Sequence, residues 1–568
     1  MKNHEKILTD FFVEQLENII CRYKSRSIPE NFRRECDAMP SCLEPASSFL
    51  FPYPRLVLGY YLPASPHYHD PKILTYAKET LEHFTEYIHD DGTTDLPVTN
   101  FHDPAQNSFY VIRYLAVPTA LLCHLSEHTE AEDSLLALHR DVLLKLGNAM
   151  ATLGFHTPNH RWLISAALAV ADTALGEDRF RDVIDRFLME GIDCDENGEY
   201  TERSTGSYNI VCDRAFINLA FFLNDPSFLD YPRRNLNLML HFIEPDFTVN
   251  TLNSSRWDQG GRYSIAGYYA FYLMLALIDR NPEFAYLADR ISDRFTPYDC
   301  APPSDIELPA FFLLYPEIAK RWDSIESQPI SADQTIFLPK SHIARIYMPD
   351  LNATTTLVCT RHPAFLQMNI GSFILQARYA SSFFGDPHSQ FRPTVIEPTE
   401  DGYRLISEES AGYRSQLDEA PETSDWRRMD HSKRHILNVQ TLRRTVTVHL
   451  KKDGFALDLD AEGCENVPTK FEFVLNPGYK LDNENFATIA KPGDYIFLRG
   501  GTTRYFIGDG KYLEFDGCFA SHTYGEQMRG AFPDATDKLT LAMTTVTPHH
   551  SHIEMHVKPV LEPVPEEE

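Results

Sequence analysis

The sequence predicts a multidomain α+β protein, with helical hairpins over residues 1–325 and an antiparallel β-sandwich over 326–560. Two observations predict it. Apolar residues recur at helical spacing through the first part. After about residue 325, short β-branched or aromatic runs alternate with polar residues and are bounded by turn residues. The proline-rich acidic end, residues 561–568, is predicted to be a disordered tail.

The helical period is clearest in DRFRDVIDRFLMEG, residues 178–191. Phe180, Ile184 and Leu188 lie four residues apart on one face, and Gly191 supplies a C-terminal stop. Similar stripes occur at 7–23, 73–88, 108–127, 133–150, 208–223, 233–243, 265–279 and 309–321. Consecutive helical hairpins form a bundle, a solenoid or a closed ring, and the spacing leaves these three open.

The β pattern is clearest in NVQTLRRTVTVHL, GFALDLDAEG and TKFEFVLNPG. Each run is short, alternates apolar with polar residues and ends at a turn signal. Such a series of short, turn-bounded runs predicts an antiparallel β-sandwich.

Charge and composition exclude some classes of function. With 52 Lys and Arg against 81 Asp and Glu, the formal net charge is −29. This disfavours binding to nucleic acid or to anionic membranes, but a locally basic cleft could still take an anionic substrate. There is no apolar run of about 20 residues, no signal-peptide pattern and no CxxC pair among the ten cysteines, which together favour a cytoplasmic protein.

The stretch TPNHRWLISAALAVADTALG, residues 157–176, opens an apolar helix with two polar residues. Thr157 is expected at the N-cap and Pro158 at the first helical position, which places Asn159 and His160 in the first turn. A helix N-terminus offers free N–H groups and partial positive charge, which suit an anion. The alternative is a local packing role for both side chains.

A long polar loop, GIDCDENGEYTERSTGS, precedes a helix that is expected to begin near Tyr208. Glu202 lies in this loop, and Tyr208 is either a core tyrosine or one directed into a cleft. The DxDxNG pattern resembles the start of a calcium loop, but Ser204 stands where Glu is required. Calcium is therefore not predicted here.

Two further stretches carry candidate binding residues. Arg256, Gln259 and Tyr263 lie in TLNSSRWDQGGRYS, where an arginine suits fork-like recognition of a carboxylate or an ion pair with an aspartate. Asn100 and His102 lie in another polar loop between helices.

Histidines in the β region complete the set. His388 lies in the loop GDPHSQF and is either catalytic or a surface residue. The histidines of TPHHSHIEMH, residues 547–556, have metal-ligand chemistry but fall on an expected final strand. No metal is predicted, and with neither a P-loop nor a strand-linked GxGxxG no redox or nucleotide cofactor is required.

Asn159-His160 at a helix start, Tyr208 about fifty residues later and His388 in a following β-sandwich form a familiar order. It resembles the heparinase II/III and oligoalginate lyase superfamily of polysaccharide lyases. The resemblance implies an (α/α) toroid catalytic domain at 1–325 followed by an antiparallel β-sandwich at 326–560. It also implies cleavage of a uronic-acid-containing glycan by β-elimination, which leaves a 4,5-unsaturated uronate.

In this interpretation Asn159, His160, Tyr208 and His388 are catalytic. Neutralisation of the uronate carboxylate by Asn159 and the helix N-terminus favours loss of the C5 proton. Tyr208, His160 or both then exchange protons with C5 and O4. The chemistry of the loops adds Arg256, Tyr263, Gln259, Glu202, His102 and Asn100 as substrate-binding candidates.

Two other interpretations stay open. A glycoside hydrolase on the same toroid would need a carboxylate pair, available among Glu199, Glu202, Asp213 and Asp258. A non-catalytic glycan-binding protein is the second. The expected partner is an anionic oligosaccharide, not nucleic acid or membrane. The sequence decides neither the sugar, its sulfation, endo or exo action, nor whether the chain forms a homo-oligomer.

Overall fold

The protein divides into two compact units by its internal contacts. The computed structural model describes residues 1–25, 50–96, 102–124, 127–295, 306–331, 334–360, 362–525, 528–531 and 535–560. The first unit is Met1–Leu240, Ser254–Asp258 and Arg262–Ser331. The second unit is His241–Asn253, Gln259–Gly261 and Ala332–Glu568. Asn100 and the expected tail, 561–568, lie outside the described residues.

The first unit is built mainly from helices. They are α1 His4–Ser25, α2 Pro52–Tyr61, α3 Pro71–Thr85, α4 Pro104–Tyr110, α5 Ala116–His124, α6 Glu130–Thr152, α7 Pro158–Leu175, α8 Arg181–Met189, α9 Tyr208–Phe222, α10 Asp230–Leu240, α11 Tyr269–Asp279, α12 Pro282–Ser292, α13 Glu307–Leu314 and α14 Pro316–Ala319. Short 3₁₀ turns occur at Pro226–Leu229, Ile265–Tyr268 and Lys320–Ser324. Within the described ranges, no helix combines the length and apolarity that crossing a membrane requires.

A polar cap followed by proline starts several of these helices. Asp70, Asp103 and Asn281 each accept a hydrogen bond from a backbone N–H of the first turn, and each precedes a proline. Proline costs nothing at this position because its missing N–H would have no partner there. Thr129 and Glu132 form a capping box at the start of α6. Local sequence therefore fixes where these helices begin.

The helices of the first unit contact one another in a closed circle. Contacts run in order from α1 through α2, α3, α6, α7, α9, α10, α11 and α13, and α13 packs back on α1. Helix α5 contacts α2, α7 and α13. Among the three arrangements that helical hairpins allow, the contacts select the ring, and the expected (α/α) toroid is confirmed.

The second unit contains most of the strands. They are β5 Ile336–Leu338, β6 Ile343–Met348, β7 Ala353–Val358, β8 Leu366–Ile370, β9 Phe373–Ser381, β10 Val395–Pro398, β11 Gly402–Arg414, β12 Ile436–Lys451, β13 Gly454–Glu462, β14 Pro468–Leu475, β15 Lys480–Asn483, β16 Phe486–Ile489, β17 Tyr495–Phe497, β18 Thr503–Gly508, β19 Lys511–Asp516, β20 Leu539–Val546 and β21 His549–Pro559. The two-residue strands β1 Thr94–Asp95, β2 His102–Asp103, β3 Thr248–Val249 and β4 Tyr263–Ser264 precede them.

Two sheets pack through a common apolar core. One has the order β10-β11-β12-β13-β21-β19-β18-β15-β16, and the other β17-β20-β14-β9-β8-β7-β6-β5. Leu457 and Ile553 of the first sheet join Leu375 and Phe471 of the second in one buried cluster. Their strand neighbours such as Asp458 point away, as the two-residue period of a strand requires. The expected antiparallel sandwich is confirmed, with β17 alone in parallel pairing among the ladders described.

The structure adds details that periodicity did not predict. Helices α2 and α12 were not expected. The continuous stripe at 108–127 contains a π-helical turn, Val111–Leu115, between α4 and α5. Residues 241–253 and 259–261 make their contacts with the second unit although they lie far before the expected boundary at 325/326.

A buried ion pair ties the early segment into the second unit. Arg345 on β6 donates from Nη1 to Glu244 Oε1 at 2.8 Å and to Thr356 Oγ1 at 2.6 Å. Both charged side chains are almost completely inaccessible to solvent. Arg345 Nε also donates to the carbonyl oxygen of His241 at 3.1 Å. The pair explains why 241–253 belongs to this unit despite its place in the sequence.

We expect Glu244→Ala to destabilise the second unit strongly. Without the carboxylate, the Arg345 guanidinium stays buried and unpaired, which costs about 3–5 kcal/mol of unfolding free energy. Urea unfolding followed by circular dichroism measures the loss.

The matched control is Glu408→Ala. Glu408 pairs with Arg443 at 3.6 Å on an exposed face of the same unit, so its removal should change the unfolding free energy by no more than about 0.5 kcal/mol. Equal losses in the two variants would contradict a structural role for the buried pair.

Candidate active site

The first turn of α7 presents the two polar residues that the sequence singled out. Thr157 is the N-cap and Pro158 the first helical residue, as expected. Asn159 is buried, and its Nδ2 donates to Thr157 Oγ1 at 3.3 Å and to Glu202 Oε2 at 2.6 Å. Both amide hydrogens of Asn159 therefore already have acceptors within the protein.

Glu202 links Asn159 to Arg256. Its second oxygen, Oε1, lies 3.2 Å from Arg256 Nε in an ion pair that lacks the angle of a directional hydrogen bond. Burial raises the pKa of Glu202, although the hydrogen bond from Asn159 and the charge of Arg256 act in the opposite direction. A single buried carboxylate thus holds an amide and a guanidinium from two distant stretches of chain.

Arg256 brings Tyr208 into the same cluster. The guanidinium carbon lies 5.0 Å from the centroid of the Tyr208 ring, within the range of a cation–π contact. Tyr208 is the first residue of α9 and is half-buried. Trp257 Nε1 donates to Tyr208 Oη at 3.1 Å. Contacts therefore run without a break from Asn159 through Glu202 and Arg256 to the phenol.

Tyr263 completes this cluster. Its ring meets that of Trp257 edge-on with centroids 5.9 Å apart. It also packs against the backbone of Gly206, where an added Cβ would lie 2.6 Å from Tyr263 Cδ2 and 3.0 Å from Asp258 Oδ2. Asp258 is fully buried and accepts from Gly206 N at 2.9 Å. Glycine at 206 is what lets the loop before Tyr208 approach so closely.

His160 lies beside this cluster in a partly desolvated setting. Burial lowers the pKa of His160 to about 4, with smaller contributions in the same direction from His156 and Arg256. Its Nδ1 is buried and has no hydrogen-bond partner among the described residues. The ring of His156 meets it edge-on at 4.7 Å, and His156 Nε2 lies 3.6 Å from Asp103. His160 is therefore neutral at neutral pH.

His102 forms a second pair of neighbouring histidines, together with His89. Its Nδ1 lies 2.9 Å from Asp91 Oδ2, and its ring stacks on His89 with centroids 3.8 Å apart. His89 in turn contacts Asp95 at 2.7 Å. The neighbouring Asp103 caps α4 and faces His156, so this loop reaches the surroundings of His160 through Asp103.

Gln259 and His388 belong to the second unit. Gln259 Nε2 donates to the carbonyl oxygen of Leu252 at 3.1 Å. His388 Nδ1 lies 2.7 Å from Glu409 Oε2, with both side chains partly exposed. The buried Arg444 donates to the carbonyl oxygens of Ser389, His388 and Gln390 and thereby fixes the loop that carries His388. Catalytic and binding roles for these two residues stay predictions.

The calcium-like loop and the histidines of β21 make contacts within the protein. Asp195, in the calcium-like loop, accepts from the backbone N–H groups of Asn197 and Glu199. The histidines of β21 face carboxylates instead of converging: His550 pairs with Asp460, and His552 with Asp458. Throughout the described part of the chain, no group of three or more metal-ligating side chains has the arrangement to hold an ion.

A separate cavity of about 300 Å³ lies within the helical unit. It is lined mainly by apolar side chains, including Ile217, Phe271 and Phe311, together with the Arg214–Glu307 ion pair at 2.9 Å. Thr173 of α7 also lines this cavity. At 1.5 Å per residue, Thr173 lies about 20 Å along the helix from Asn159. This cavity is therefore distinct from the polar cluster at the helix N-termini.

Sequence reasoning missed Trp257 and His156. Trp257 is 67% exposed although tryptophan is usually well buried. Its position between Arg256 and Asp258 in a polar loop was a usable signal, because a large aromatic residue there has no helical or strand face to bury. His156 follows Phe155 just before α7 and carried no comparable pattern.

We expect Gly206→Ala to destabilise the first unit. Since the new Cβ would lie 2.6 Å from the Tyr263 ring, Tyr263 and Asp258 must shift, at a cost of about 1–3 kcal/mol of unfolding free energy. Thermal unfolding measures this loss.

Gly525→Ala is the matched control for that measurement. Its added Cβ meets neighbouring atoms no closer than 3.7 Å, an ordinary contact distance, so stability should be unchanged. If Gly206→Ala were as stable as Gly525→Ala, the close approach of Tyr263 to this loop would be wrong.

The chain is similar to several solved structures, all at low sequence identity. A mutant of heparan sulfate lyase HepC from Pedobacter heparinus has a TM-score of 0.49 and 11% identity, covering 89% of this chain and 75% of that chain. Paenibacillus xanthan lyase has a TM-score of 0.47 and 10% identity, covering 91% of this chain and 52% of that chain. Chondroitin AC lyase from Streptomyces coelicolor A3 has a TM-score of 0.44 and 12% identity, covering 91% of this chain and 75% of that chain.

By their names, all three are lyases of polysaccharides. No protein-family model matches the chain, and no curated protein sequence matches it.

Proposed function

We propose that the protein is a polysaccharide or oligosaccharide lyase that cleaves a uronic-acid-containing glycan by β-elimination. The observation that carries the proposal is the unbroken set of contacts Asn159–Glu202–Arg256–Tyr208. It puts a guanidinium, the side chain best suited to a carboxylate, directly against a phenol that can transfer a proton. Elimination at a uronate needs these two groups side by side.

Arg256 neutralises the substrate carboxylate in this proposal. Its Nε faces Glu202, and about a third of the side chain is exposed. The terminal amino groups, which the Glu202 contact does not use, bind the uronate carboxylate in a fork-like pair of hydrogen bonds. With that charge compensated, the negative charge that develops when C5 loses its proton is stabilised.

Asn159 acts through Glu202 in this proposal. Its amide hydrogens are directed at Thr157 and Glu202 and its side chain is buried, so it fixes the Glu202 carboxylate and, with it, the position of Arg256. Direct contact of Asn159 with the uronate, which the sequence suggested, would require those two hydrogen bonds to break.

His160 and Tyr208 divide the proton transfers. Neutral His160 accepts the C5 proton, since its lowered pKa keeps it unprotonated near neutral pH. Tyr208 donates its hydroxyl proton to O4 as the C4–O4 bond breaks and a double bond forms between C4 and C5. The products are a 4,5-unsaturated uronate and a shortened glycan with a free hydroxyl group. No redox or nucleotide cofactor enters this reaction.

Three of the four carboxylates that a hydrolase could use are engaged elsewhere. Asp213 is fully buried, accepts from Tyr200 Oη at 2.9 Å, and burial raises its pKa well above the ordinary value. Asp258 is buried against Ser254 and Gly206. Glu202 is shared between Asn159 and Arg256. A hydrolase needs two carboxyl groups facing one bond across a solvent-accessible gap, so these contacts favour the lyase.

Tyr208→Phe should strongly reduce turnover. Without the hydroxyl group no acid protonates O4, and loss of general acid catalysis lowers kcat by about 10²–10⁴-fold. The assay is ultraviolet absorbance of the unsaturated product over a panel of oligosaccharides that contain glucuronate, iduronate, mannuronate or guluronate. Heparan sulfate, chondroitin sulfate and xanthan belong in the panel as the polymers named for the similar structures.

Tyr413→Phe is the control, since Tyr413 is an exposed tyrosine of the second unit. This variant should convert the substrates of the panel at the same rate as the unmodified protein. Full activity of Tyr208→Phe would refute its role as the acid, and absence of the unsaturated product from every substrate would refute the lyase.

The pH profile should place His160 as the base. Because burial lowers the pKa of His160 to about 4, its neutral form persists at lower pH than that of an ordinary histidine. We therefore expect kcat/KM to hold steady as pH falls to about 5 and to drop only near pH 4, since this ratio reports the free enzyme.

Glu202→Gln separates His160 from the neighbouring carboxyl group, whose pKa burial raises. An acid limb that stays near pH 4 in this variant belongs to His160, whereas one that disappears belongs to Glu202. A limb near pH 6.5, the ordinary pKa of histidine, would contradict a base held neutral by burial.

A further inference from the structure

Trp257 is a large aromatic side chain that the reaction above does not use. It is 67% exposed, yet it makes two specific contacts, one with Tyr208 Oη at 3.1 Å and one edge-on with Tyr263 at 5.9 Å. An exposed indole normally lies flat on apolar neighbours or is left without function. Here its polar edge is directed at the proposed catalytic phenol, while most of its surface is exposed to solvent.

We propose that Trp257 positions the Tyr208 hydroxyl group through its indole N–H and stacks on the sugar that leaves with O4. The inference rests on the proposed lyase reaction and deepens it. It adds a positioning residue and assigns the subsite on the non-reducing side of the cleaved bond.

The direction of the hydrogen bond is unambiguous. Indole nitrogen is a donor only, so Tyr208 Oη must be the acceptor. The phenol's own proton is therefore not used by Trp257 and stays available to O4. When that proton is delivered, the same N–H faces a phenolate and becomes a charge-assisted hydrogen bond, which is stronger than the one it replaces. The contact thus gains strength as the proton is transferred.

The exposed face of the indole supports the second proposed role, stacking on the sugar that leaves with O4. Tyr208 must reach O4, and O4 joins the uronate to the next sugar on the non-reducing side. A ring hydrogen-bonded to the Tyr208 oxygen therefore lies beside that sugar. Aromatic faces pack well against the C–H face of a pyranose ring, and Trp257 carries no charge to be desolvated. The expected ligand at this subsite is a sugar ring with an accessible C–H face.

The charged groups around Tyr208 stay the same when Trp257 is changed. Among the described residues they include Arg256 over its ring, Glu202 paired with Arg256, and Asp258 beneath Tyr263. His160 is neutral near neutral pH. A change in the pH profile of a Trp257 variant therefore reports the lost N–H and not a rearranged set of charges.

Two variants separate the two roles. Trp257→Phe removes the N–H but keeps an aromatic face, whereas Trp257→Leu removes both. Each is measured as kcat and KM against pH, on uronate tetrasaccharides of the panel above. Binding of the same tetrasaccharides is measured by calorimetry in the Tyr208→Phe background. Trp426→Phe and Trp426→Leu are matched controls, because Trp426 is 55% exposed and lies in the second unit.

We expect Trp257→Phe to lower kcat about 10-fold with KM within twofold, as loss of one charge-assisted hydrogen bond predicts. The alkaline limb of its kcat/KM profile should move to higher pH, because the phenolate form of Tyr208 loses a donor. Trp257→Leu should show the same fall in kcat and in addition weaken tetrasaccharide binding about 5-fold through lost stacking. Both Trp426 variants should behave as the unmodified protein.

The positioning role and the stacking role of Trp257 would each be refuted by a different result. If the unmodified protein makes unsaturated product and Trp257→Phe has the same kcat and alkaline limb, the positioning role is wrong and the lyase stands. If Trp257→Leu binds tetrasaccharides as tightly as Trp257→Phe, the stacking role is wrong. If the unmodified protein makes no unsaturated product, the lyase itself fails, and unchanged binding by Trp257→Leu would then remove the subsite as well.

Discussion

The proposed chemistry depends on one buried carboxylate. Glu202 accepts from Asn159 at 2.6 Å and pairs with Arg256 at 3.2 Å, and it does so with almost no solvent around it. A buried carboxylate is costly unless donors or opposite charge surround it. That cost constrains both partners, so the amide and the guanidinium cannot relax independently. The guanidinium in turn packs on Tyr208, and the position of the phenol follows from the same constraint.

Burial gives the neighbouring histidine and carboxyl group different protonation preferences. Desolvation disfavours charge, so it lowers the pKa of His160 and raises that of Glu202. Arg256 keeps its charge because arginine does not lose its proton in proteins. The cluster therefore combines a permanent cation, a neutral imidazole and a phenol with an unused proton. Those are the three groups that elimination at a uronate requires, one for the carboxylate, one for C5 and one for O4.

Much of the fold could be predicted because it depends on local patterns. Helical periodicity located most of the helices, and two-residue alternation located most of the strands. Periodicity could not choose among bundle, solenoid and ring, because that choice depends on whether α13 meets α1. Nor could it assign residues 241–253 to the second unit, since the reason is a buried pair between Glu244 and Arg345, 101 residues apart.

The sequence by itself determined the α+β class, the start of α7 with Asn159 and His160, and the start of α9 at Tyr208, because caps and periodicity act within a few residues. Only the tertiary structure decided which polar loops meet. It joined Glu202 and Arg256 to the two helix starts, gave Asn159 a carboxylate partner inside the protein, and placed Trp257 on the phenol oxygen. Such contacts join residues about 50 positions apart, and no local pattern encodes them.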